Sequence, residues 1–526
     1  MFKEMIEKIF RRPAGYLGLA FVVWLCCFQG YFWGGLSFTS DAVSYHDHIW
    51  SFLANLMQGH FPLWDPHWSG GVPNDFFLRR ICPFNPFYLF VIILHIGGMT
   101  HYFAYMTFLA GYLFFGMAGF YLLCRKLTGD EVAAFVSFGV LLFSALSTRI
   151  FDSYMIFVVT PLAWFLYFLV RFCSAPGRLN ALGLTFFAMI LMTTYIPFYF
   201  IIIVCSFAIV FAVVYCYRLG GIFRNVSGFI VRERLITLFC AAAVLCATLP
   251  GFLFFNEAGK GNISIPGRHY STAESHALAV QNQAEDSWAV PEEFYFSAYY
   301  HDLKRITFAI VYVPCIAFIL LVIGAGLRFS RLMVFLATWG GLILLFTSPF
   351  ASPLYAFLRE KIFFFKYFRN LHFLLWFALF PVFALFIGEL FRSFREEAEG
   401  RPKGWLVPWI ITAHAVLFGL ACWQPYALIT TKITIVLSCG FFVAYLRLPA
   451  LRGRGSWVIG ALLFLLVLQP LEVYHYFPRN VPLGTTGFDP ALNSGYQYTM
   501  STVGEWKMEG NRFPVEAEPG KPSGAS

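Results

Sequence analysis

The feature that most constrains this sequence is a series of apolar runs, each close to the length at which a helix crosses a bilayer. A crossing helix needs about 20 mostly apolar residues, and about 13 runs approach that length. They lie at 15–36, 101–123, 132–146, 155–170, 179–194, 198–217, 235–255, 306–327, 332–347, 371–390, 405–423, 433–446 and 457–471. Backbone polar groups inside lipid must be satisfied within their own segment, so these runs are expected to be helices. Only 12% of the 526 residues are charged and the mean hydropathy is +0.68, which excludes a water-soluble globule and predicts an all-α polytopic membrane protein.

The distribution of Lys and Arg predicts the orientation of the chain. With the N-terminus in the cytoplasm, about 21 of the 37 Lys and Arg fall in short inner segments, as the positive-inside rule requires. This predicts a cytoplasmic N-terminus at 1–14, a membrane domain at 15–471, and an outer C-terminal tail at 472–526 with a disordered end. The net charge of +9 is spread over these short clusters, so it indicates inner loops and no nucleic-acid partner.

Three longer segments are predicted to lie outside the membrane on the outer face. They cover residues 37–83, 256–305 and 348–370. The apolar run at 84–96 is short for a crossing, which favours an interfacial or re-entrant helix next to the first outer segment. The Thr- and Pro-containing stretch at 193–197 is predicted to join two crossing helices in a tight outer hairpin.

The polar residues are concentrated in these outer segments. Every histidine except His414 falls on or near the outer face, and the first outer segment has the densest set of ionisable residues. That set comprises Asp41, His46, Asp47, His48, His60, Asp65, His67, Asp75, Arg79 and Arg80. The spacing matches no fixed zinc-ligand pattern, since two histidines that are two residues apart point to nearly opposite sides of a helix. No metal ligand is therefore assigned, and a loosely held divalent ion that assists a phosphate stays an alternative.

Asp41 is the candidate catalytic residue of the first outer segment. If Ser40 or Asp41 begins a helix that runs toward Gln58, the 3.6-residue period places Asp41, Tyr45 and His48 on one face. A carboxylate at the boundary between membrane and water is suitably placed to act as a general base on an incoming hydroxyl. The alternative is that Asp41 only caps the helix.

Basic residues interleaved with aromatic residues indicate a second candidate site in the segment Arg359–His372. Arg and Lys side chains at that depth can pair with an anionic phosphate, while aromatic rings meet an acyl or isoprenoid chain. The alternative is ordinary anchoring at the interface. The candidate substrate-binding residues are Arg369, Lys366, His372, Tyr45, His48, Arg79 and Arg80. A further set of residues in the second outer segment either lines an acceptor groove or only packs on the outer surface. It comprises Trp288, Glu292, Glu293, Tyr295, Tyr299, Tyr300 and His301.

The order of several short motifs resembles a known family. After Asp41 come GHFPLWDP at 59–66, GGVPN at 70–74 and PFNP at 83–86. This order resembles the first outer segment of YfhO-type bacterial membrane proteins of the GT-C glycosyltransferase superfamily, and FRNLH at 368–372 is similar to their later motif at an outer helix start. The resemblance implies a GT-C-like domain in the bacterial cytoplasmic (inner) membrane. Such an enzyme moves a sugar, with inversion, from a polyprenyl-phosphate donor to a glycan, lipid or protein acceptor on the outer face. It also implies that Asp41 deprotonates the acceptor hydroxyl and that Arg369 contacts the phosphate leaving group.

Other classes of function make different demands on the sequence. A lipid or glycolipid transporter or flippase needs ionisable residues in mid-span, of which His414 is the clearest here. A structural or assembly protein needs no dense set of polar residues in the first outer segment. An O-antigen ligase or polymerase would share the transfer chemistry but move a whole chain. The concentration of polar residues outside the membrane favours chemistry at the outer surface.

Overall fold

The computed structural model describes residues 13–27, 49–50, 52–61, 64–65, 72–73, 82–148, 153–194, 198–259, 313–347, 352–361, 373–400, 404–423, 428–452 and 455–480. These residues are almost entirely helical, apart from a two-residue antiparallel pairing of β1 (Trp64–Asp65) with β2 (Val72–Pro73).

The helices are named here in two groups, one on each side of the segment 260–312, which lies outside the described ranges. Before it come α1 (Pro13–Cys27), α2 (Tyr88–Ile96), α3 (His101–Thr128), α4 (Glu131–Leu142), α5 (Ala145–Thr148), α6 (Ser153–Ser174), α7 (Arg178–Met192), α8 (Phe198–Val214), α9 (Cys216–Arg232) and α10 (Arg234–Gly259). After it come α11 (Cys315–Gly324), α12 (Arg331–Thr347), α13 (Ser352–Lys361), a π-helical segment (Leu375–Leu379), α14 (Phe380–Glu399), α15 (Leu406–Trp423), α16 (Ile429–Arg447), α17 (Pro449–Arg452) and α18 (Gly455–Asn480).

The apolar helices confirm a multi-pass α-helical membrane protein. Within the described ranges, six helices are long and apolar enough to cross a bilayer, or seven if the bent pair α8 and α9 forms one span. The six cover Phe103–Thr128, Met155–Ser174, Arg234–Leu253, Trp376–Glu399, Leu406–Trp423 and Ile429–Arg447. Shorter apolar helices overlap the remaining predicted runs. Each predicted run therefore corresponds to a helix, while the number of 13 crossings stays a prediction.

Local capping residues explain where α3 begins and ends and where α4 begins. The Thr100 side chain accepts a hydrogen bond from the Phe103 N–H, which satisfies one free donor at the start of α3. Gly129 ends that helix with φ +72°, a left-handed conformation that glycine adopts without steric cost. The Asp130 carboxylate then accepts from the Ala133 N–H at 2.8 Å and begins α4. Two consecutive residues thus reverse the chain between neighbouring helices.

Helix α14 lies at the centre of the bundle, and α10 lies at its edge. Most of α14 is buried, and it packs against α4, α11 and α12. Gly388 allows the closest approach: a Cβ atom there would lie 2.7 Å from the Ala133 carbonyl oxygen and closer still to the Ser137 hydroxyl. Small residues of this kind let helix backbones approach closely in membranes. In contrast, hardly any residue of α10 is buried and most are exposed, as expected for an apolar helix that faces lipid.

Ion pairs gather at one end of the bundle, here called the basic end. It is where α3 ends, α4 begins and α14 ends. The Arg395 guanidinium lies 2.6 Å from the Asp130 carboxylate, and Arg392 donates two hydrogen bonds to the fully buried Glu389. At the same end, Arg178 donates to Glu233 at 3.0 Å, between the starts of α7 and α10. The positive-inside pattern predicts this same end to be cytoplasmic.

Three local expectations can be compared with the helices. The break predicted around 193–197 is found, since α7 ends at Met192 and α8 begins at Phe198. The two helices pack mainly on other helices, α7 on α6 and α10 and α8 on α12, so a tight hairpin stays a prediction. The run at 84–96 forms α2, whose nine residues extend about 13 Å, too short to cross a bilayer. The run predicted as a helix over 132–146 is wrong in its end, because α4 stops at Leu142.

Candidate functional site

The end of the bundle opposite the basic end, here called the far end, is where the described parts of the first outer segment meet the membrane helices. Trp50 is buried there and stacks on His101, the first residue of α3, with ring centroids 3.6 Å apart. The same indole meets the ring of His95, near the end of α2, edge to face at 4.7 Å. Nδ1 of His95 lies 3.0 Å from the Met99 carbonyl oxygen. These contacts fix the middle of the first outer segment to the start of α3.

Cys82 fixes the end of that segment to the end of α7. It is fully buried, and its Sγ donates to the Ile190 carbonyl at 3.7 Å and lies 3.8 Å from the Thr193 hydroxyl. Its φ of +54° is a left-handed conformation that is uncommon for any residue except glycine. Burial raises the pKa of the Cys82 thiol to about 12, so the group stays protonated at neutral pH and is no nucleophile.

The helix that follows the FRNLH motif packs on the start of α8, the next helix after α7. Phe373 comes directly after this motif, and its ring lies 5.8 Å from that of Tyr199, the second residue of α8. Phe377, inside the π-helical segment, contacts the same tyrosine at 5.6 Å. The end of the first outer segment therefore contacts the end of α7, and the start of this later helix contacts the start of α8, the next helix along the chain.

The π-helical segment borders a small apolar cavity inside the bundle. The cavity volume is about 20 Å³, and its lining includes Phe377, Ala378, Trp339 and Leu162. A space of this size holds no more than one water molecule, and no polar atom lines it. The cavity is therefore a packing defect beside the π-helical segment and no site for a sugar or a phosphate.

A buried glutamine joins three helices near the far end. The amide nitrogen of Gln469 in α18 donates to the Thr431 hydroxyl in α16 at 2.7 Å. Its carbonyl oxygen accepts from the Cys315 N–H at the start of α11 at 2.6 Å. Hydrogen bonds between buried polar groups in lipid have no competition from water, so Gln469 fixes the relative position of these helices. The sequence analysis missed this residue, although an amide inside an apolar run is a visible signal.

His414, the ionisable residue that a transporter hypothesis requires in mid-span, already has two partners. Nδ1 lies 2.7 Å from the Ile410 carbonyl oxygen, and Nε2 lies 3.1 Å from the Ser438 hydroxyl. Both ring nitrogens are used within the pair α15 and α16. This arrangement is typical of a structural histidine whose hydrogen bonds are satisfied inside the bundle.

All of the predicted site residues lie outside the described ranges. They are Asp41, Tyr45, His48, Arg79, Arg80, Lys366, Arg369 and His372, and the same holds for the candidates in the second outer segment. The described residues closest to them in sequence, such as Trp50, Cys82 and Phe373, lie at the far end of the bundle. Among the residues that are described, no three His, Cys, Asp or Glu side chains gather as metal ligands would.

Comparisons with known proteins give a structural similarity and no match in sequence. No protein-family model and no curated protein matches the sequence. A crystal structure of ArnT from Cupriavidus metallidurans bound to undecaprenyl phosphate is similar over 92% of this chain and 81% of that chain. The identity is 11% and the TM-score is 0.44. Similarity at this level assigns neither a family nor a substrate.

Proposed function

We propose that this chain is a GT-C-type membrane glycosyltransferase of the bacterial cytoplasmic membrane. It takes a sugar from a polyprenyl-phosphate donor and transfers it, with inversion, to a glycan, lipid or protein acceptor on the outer face. In this proposal residues 15–471 form the membrane domain, the segment 37–83 carries the catalytic base, and the far end faces outward. The N-terminus is then cytoplasmic and the C-terminus lies outside.

The observation that carries the proposal is that two separate segments contact two consecutive helix ends, the end of α7 and the start of α8. Cys82 packs on the end of α7, and Phe373 packs on the start of α8. Arg80 is two residues before Cys82 in the sequence, and Arg369 is four residues before Phe373. Two cationic motifs that are nearly 300 residues apart in sequence are thus each followed closely by a residue that packs on one of two consecutive helices.

The chemistry of an inverting transfer matches the residues near these anchors. The acceptor oxygen attacks the anomeric carbon from the side opposite the phosphate, and the Asp41 carboxylate takes the proton of the acceptor hydroxyl. The bond between the anomeric carbon and the phosphate oxygen breaks, and its electron pair stays on the phosphate. Arg369 pairs with the phosphate as its charge grows, and fixed cations of this kind stabilise the transition state more than the ground state.

The remaining candidates have supporting roles in the proposal. Lys366, His372, Arg79 and Arg80 add positive charge or hydrogen-bond donors around the phosphate, which is an anion throughout the reaction. Tyr45 and His48 share the predicted helical face of Asp41 and orient the acceptor. A divalent ion at the phosphate is compatible with the acidic residues of the first outer segment, but no step of the proposal depends on it.

The proposal is tested by the glycans of a host that lacks this protein. Mass spectrometry of envelope glycans and lipid-linked sugars compares the null strain with strains that carry the wild type, Asp41→Asn or Asp47→Asn. We expect a sugar that is missing in the null strain, with accumulation of its lipid-linked donor. Wild type and Asp47→Asn restore the sugar, whereas Asp41→Asn, at equal membrane abundance, reduces transfer by about 100-fold or more.

Two results would contradict the proposal at different levels. Full restoration by Asp41→Asn would show that Asp41 is a helix cap and not the base. Unchanged glycans and lipid-linked sugars in the null strain would remove the transferase hypothesis itself and favour the transporter or assembly alternative. Asp47→Asn is the matched control because it removes the same charge from the same segment on a different predicted helical face.

A further inference from the structure

Helix α9 turns away from the direction of the membrane crossing that precedes it. It begins at Cys216, and only Tyr215 separates it from the end of α8. Between the two helices the chain bends by 116°. The 17 residues of α8 extend about 25 Å, nearly the thickness of the hydrocarbon core. The crossing is therefore essentially complete before the bend, and α9 runs across the end of the bundle.

The sequence of α9 divides into an apolar face and a polar face. Apolar residues recur three and four positions apart, the spacing that forms one stripe on a helix. They are Leu219, Ile222, Phe223, Val226, Phe229 and Ile230. The opposite face is basic and polar, with Arg218, Arg224, Asn225 and Arg232. A helix with this division is suited to the boundary between the acyl chains and the headgroups of a bilayer.

The protein covers only one edge of the apolar face. Phe229 is buried, and its ring meets that of Phe172 in α6 edge to face at 5.2 Å. Phe223 and Ile230, on the other edge, remain 70% and 45% exposed. Since α10, which follows α9 directly, is an apolar helix with hardly any buried residue, the open edge of α9 continues into a surface that faces lipid.

Two arginines of the polar face, Arg218 and Arg224, have no carboxylate partner among the described residues, whereas Arg232 lies 3.7 Å from the Glu233 carboxylate. Arg218 lies over the rings of Tyr215 and Tyr217, at 5.6 and 5.5 Å, and Arg331 from α12 lies over Tyr217 at 4.8 Å. Arg224 is exposed, and its side chain forms no ion pair with any residue in the described part of the chain. These three guanidinium groups lie at the basic end, where their charge is available to an anion.

We propose that α9 lies in the membrane interface at the basic end and that its arginines bind the headgroups of anionic phospholipids. Its apolar edge inserts beside α10 among the acyl chains, and Arg218 and Arg224 pair with lipid phosphates at the level of the headgroups. Basic residues next to a membrane segment attract anionic lipids in this way. The surface is independent of the proposed transferase site, which lies at the far end.

The test uses the full-length protein in neutral detergent with equal amounts of phosphatidylglycerol and phosphatidylcholine. Native mass spectrometry counts the lipids that the protein retains. We expect the wild type to retain phosphatidylglycerol preferentially, and we expect Arg218→Gln with Arg224→Gln to reduce that preference by about fivefold for each lost charge. Raising the salt concentration should weaken the wild-type preference, because ions screen exposed charges. Thermal unfolding confirms that each variant is folded.

The matched control is Arg125→Gln with Arg178→Gln. It removes the same charge from the same end, but both arginines are on other helices and already pair with Glu131 and Glu233, at 2.6 and 3.0 Å. We expect the control to keep the preference for phosphatidylglycerol, and Arg218→Lys with Arg224→Lys to keep it too. An equal loss in the control, or an unchanged preference in the α9 variant, would overturn the proposal.

Discussion

Cys82 combines complete burial, a left-handed backbone conformation and contacts with the end of α7 in one residue. It is fully buried, it has φ +54°, and its thiol reaches the last turn of α7 at Ile190 and the residue after that helix, Thr193. A left-handed conformation costs a residue with a Cβ atom about 1–2 kcal/mol, which the surrounding packing must offset. Such strain marks a point where the chain is forced to turn, and here the first outer segment turns into the membrane bundle.

The burial of Cys82 predicts a thiol that does not react in the folded protein. With a pKa of about 12, only ~3 in 100,000 of these thiols are ionised at pH 7.5, and burial blocks the reagent as well. Cys216, the first residue of α9, is exposed and serves as the internal control. Maleimide treatment followed by peptide mass spectrometry should modify Cys216 and leave Cys82 intact until the protein is denatured. Equal labelling of both residues before denaturation would contradict the burial of Cys82.

At the scale of helices, the contact between α4 and α14 depends on Gly388. A methyl group at this position would collide with the Ala133 carbonyl oxygen and the Ser137 hydroxyl of α4, and neither backbone can retreat without separating the helices. We expect Gly388→Ala to lower the free energy of unfolding by about 1–3 kcal/mol, measured by thermal unfolding in detergent.

Gly419→Ala in α15 is the matched control for that substitution. A Cβ atom at Gly419 would have no atom within 4 Å, so the substitution tests helix propensity alone. Alanine favours a helix over glycine by about 1 kcal/mol, and the control should therefore be neutral or slightly stabilising. Gly388→Ala is therefore expected to be clearly less stable than Gly419→Ala. A Gly388→Ala protein as stable as the control would show that α4 and α14 are not in close contact at Gly388.

The helices themselves were predictable from the sequence because hydropathy reports the length of an apolar segment directly. Helix α9 was not assigned, although Leu219, Ile222, Phe223 and Val226 follow a clear helical period. Its mixed composition removes it from a search for continuous apolar runs, and only periodicity reveals it. The π-helical segment at 375–379 has no such signal, since one inserted backbone residue leaves the apolar composition unchanged.

At the scale of the whole molecule, the sequence predicted which end would be basic but not which residues would meet there. The approach of Arg395 to Asp130 joins positions that are 265 residues apart, and that of Cys82 to Thr193 joins positions 111 apart. Such pairs depend on how helices pack, and one sequence alone carries no record of this. The candidate site remains predicted from motifs and from the described residues closest to them in sequence, because Asp41 and Arg369 lie outside the described residues.

The arrangement of the two ends predicts the topology of the entire chain. The ion pairs of Arg395 and Arg178 mark one end, and Cys82 and Gln469 mark the other. If the basic end is cytoplasmic, each crossing helix has a defined direction. Alkaline phosphatase inserted after residue 402, before α15, should be inactive inside the cell, whereas insertion after residue 426, beyond α15, should give an active enzyme outside. Activity is measured in intact cells and normalised to the amount of each fusion.

The paired insertions separate two errors that a single fusion would confuse. They flank one helix, Leu406–Trp423, so equal activities would show that α15 does not cross the membrane. Reversed activities would show that it crosses in the opposite direction, with the basic end outside. That result would place the far end, and with it the anchors Cys82 and Phe373, in the cytoplasm. A transferase that uses a polyprenyl-linked donor on the outer face would then be excluded, because its proposed site would lie on the wrong side of the membrane.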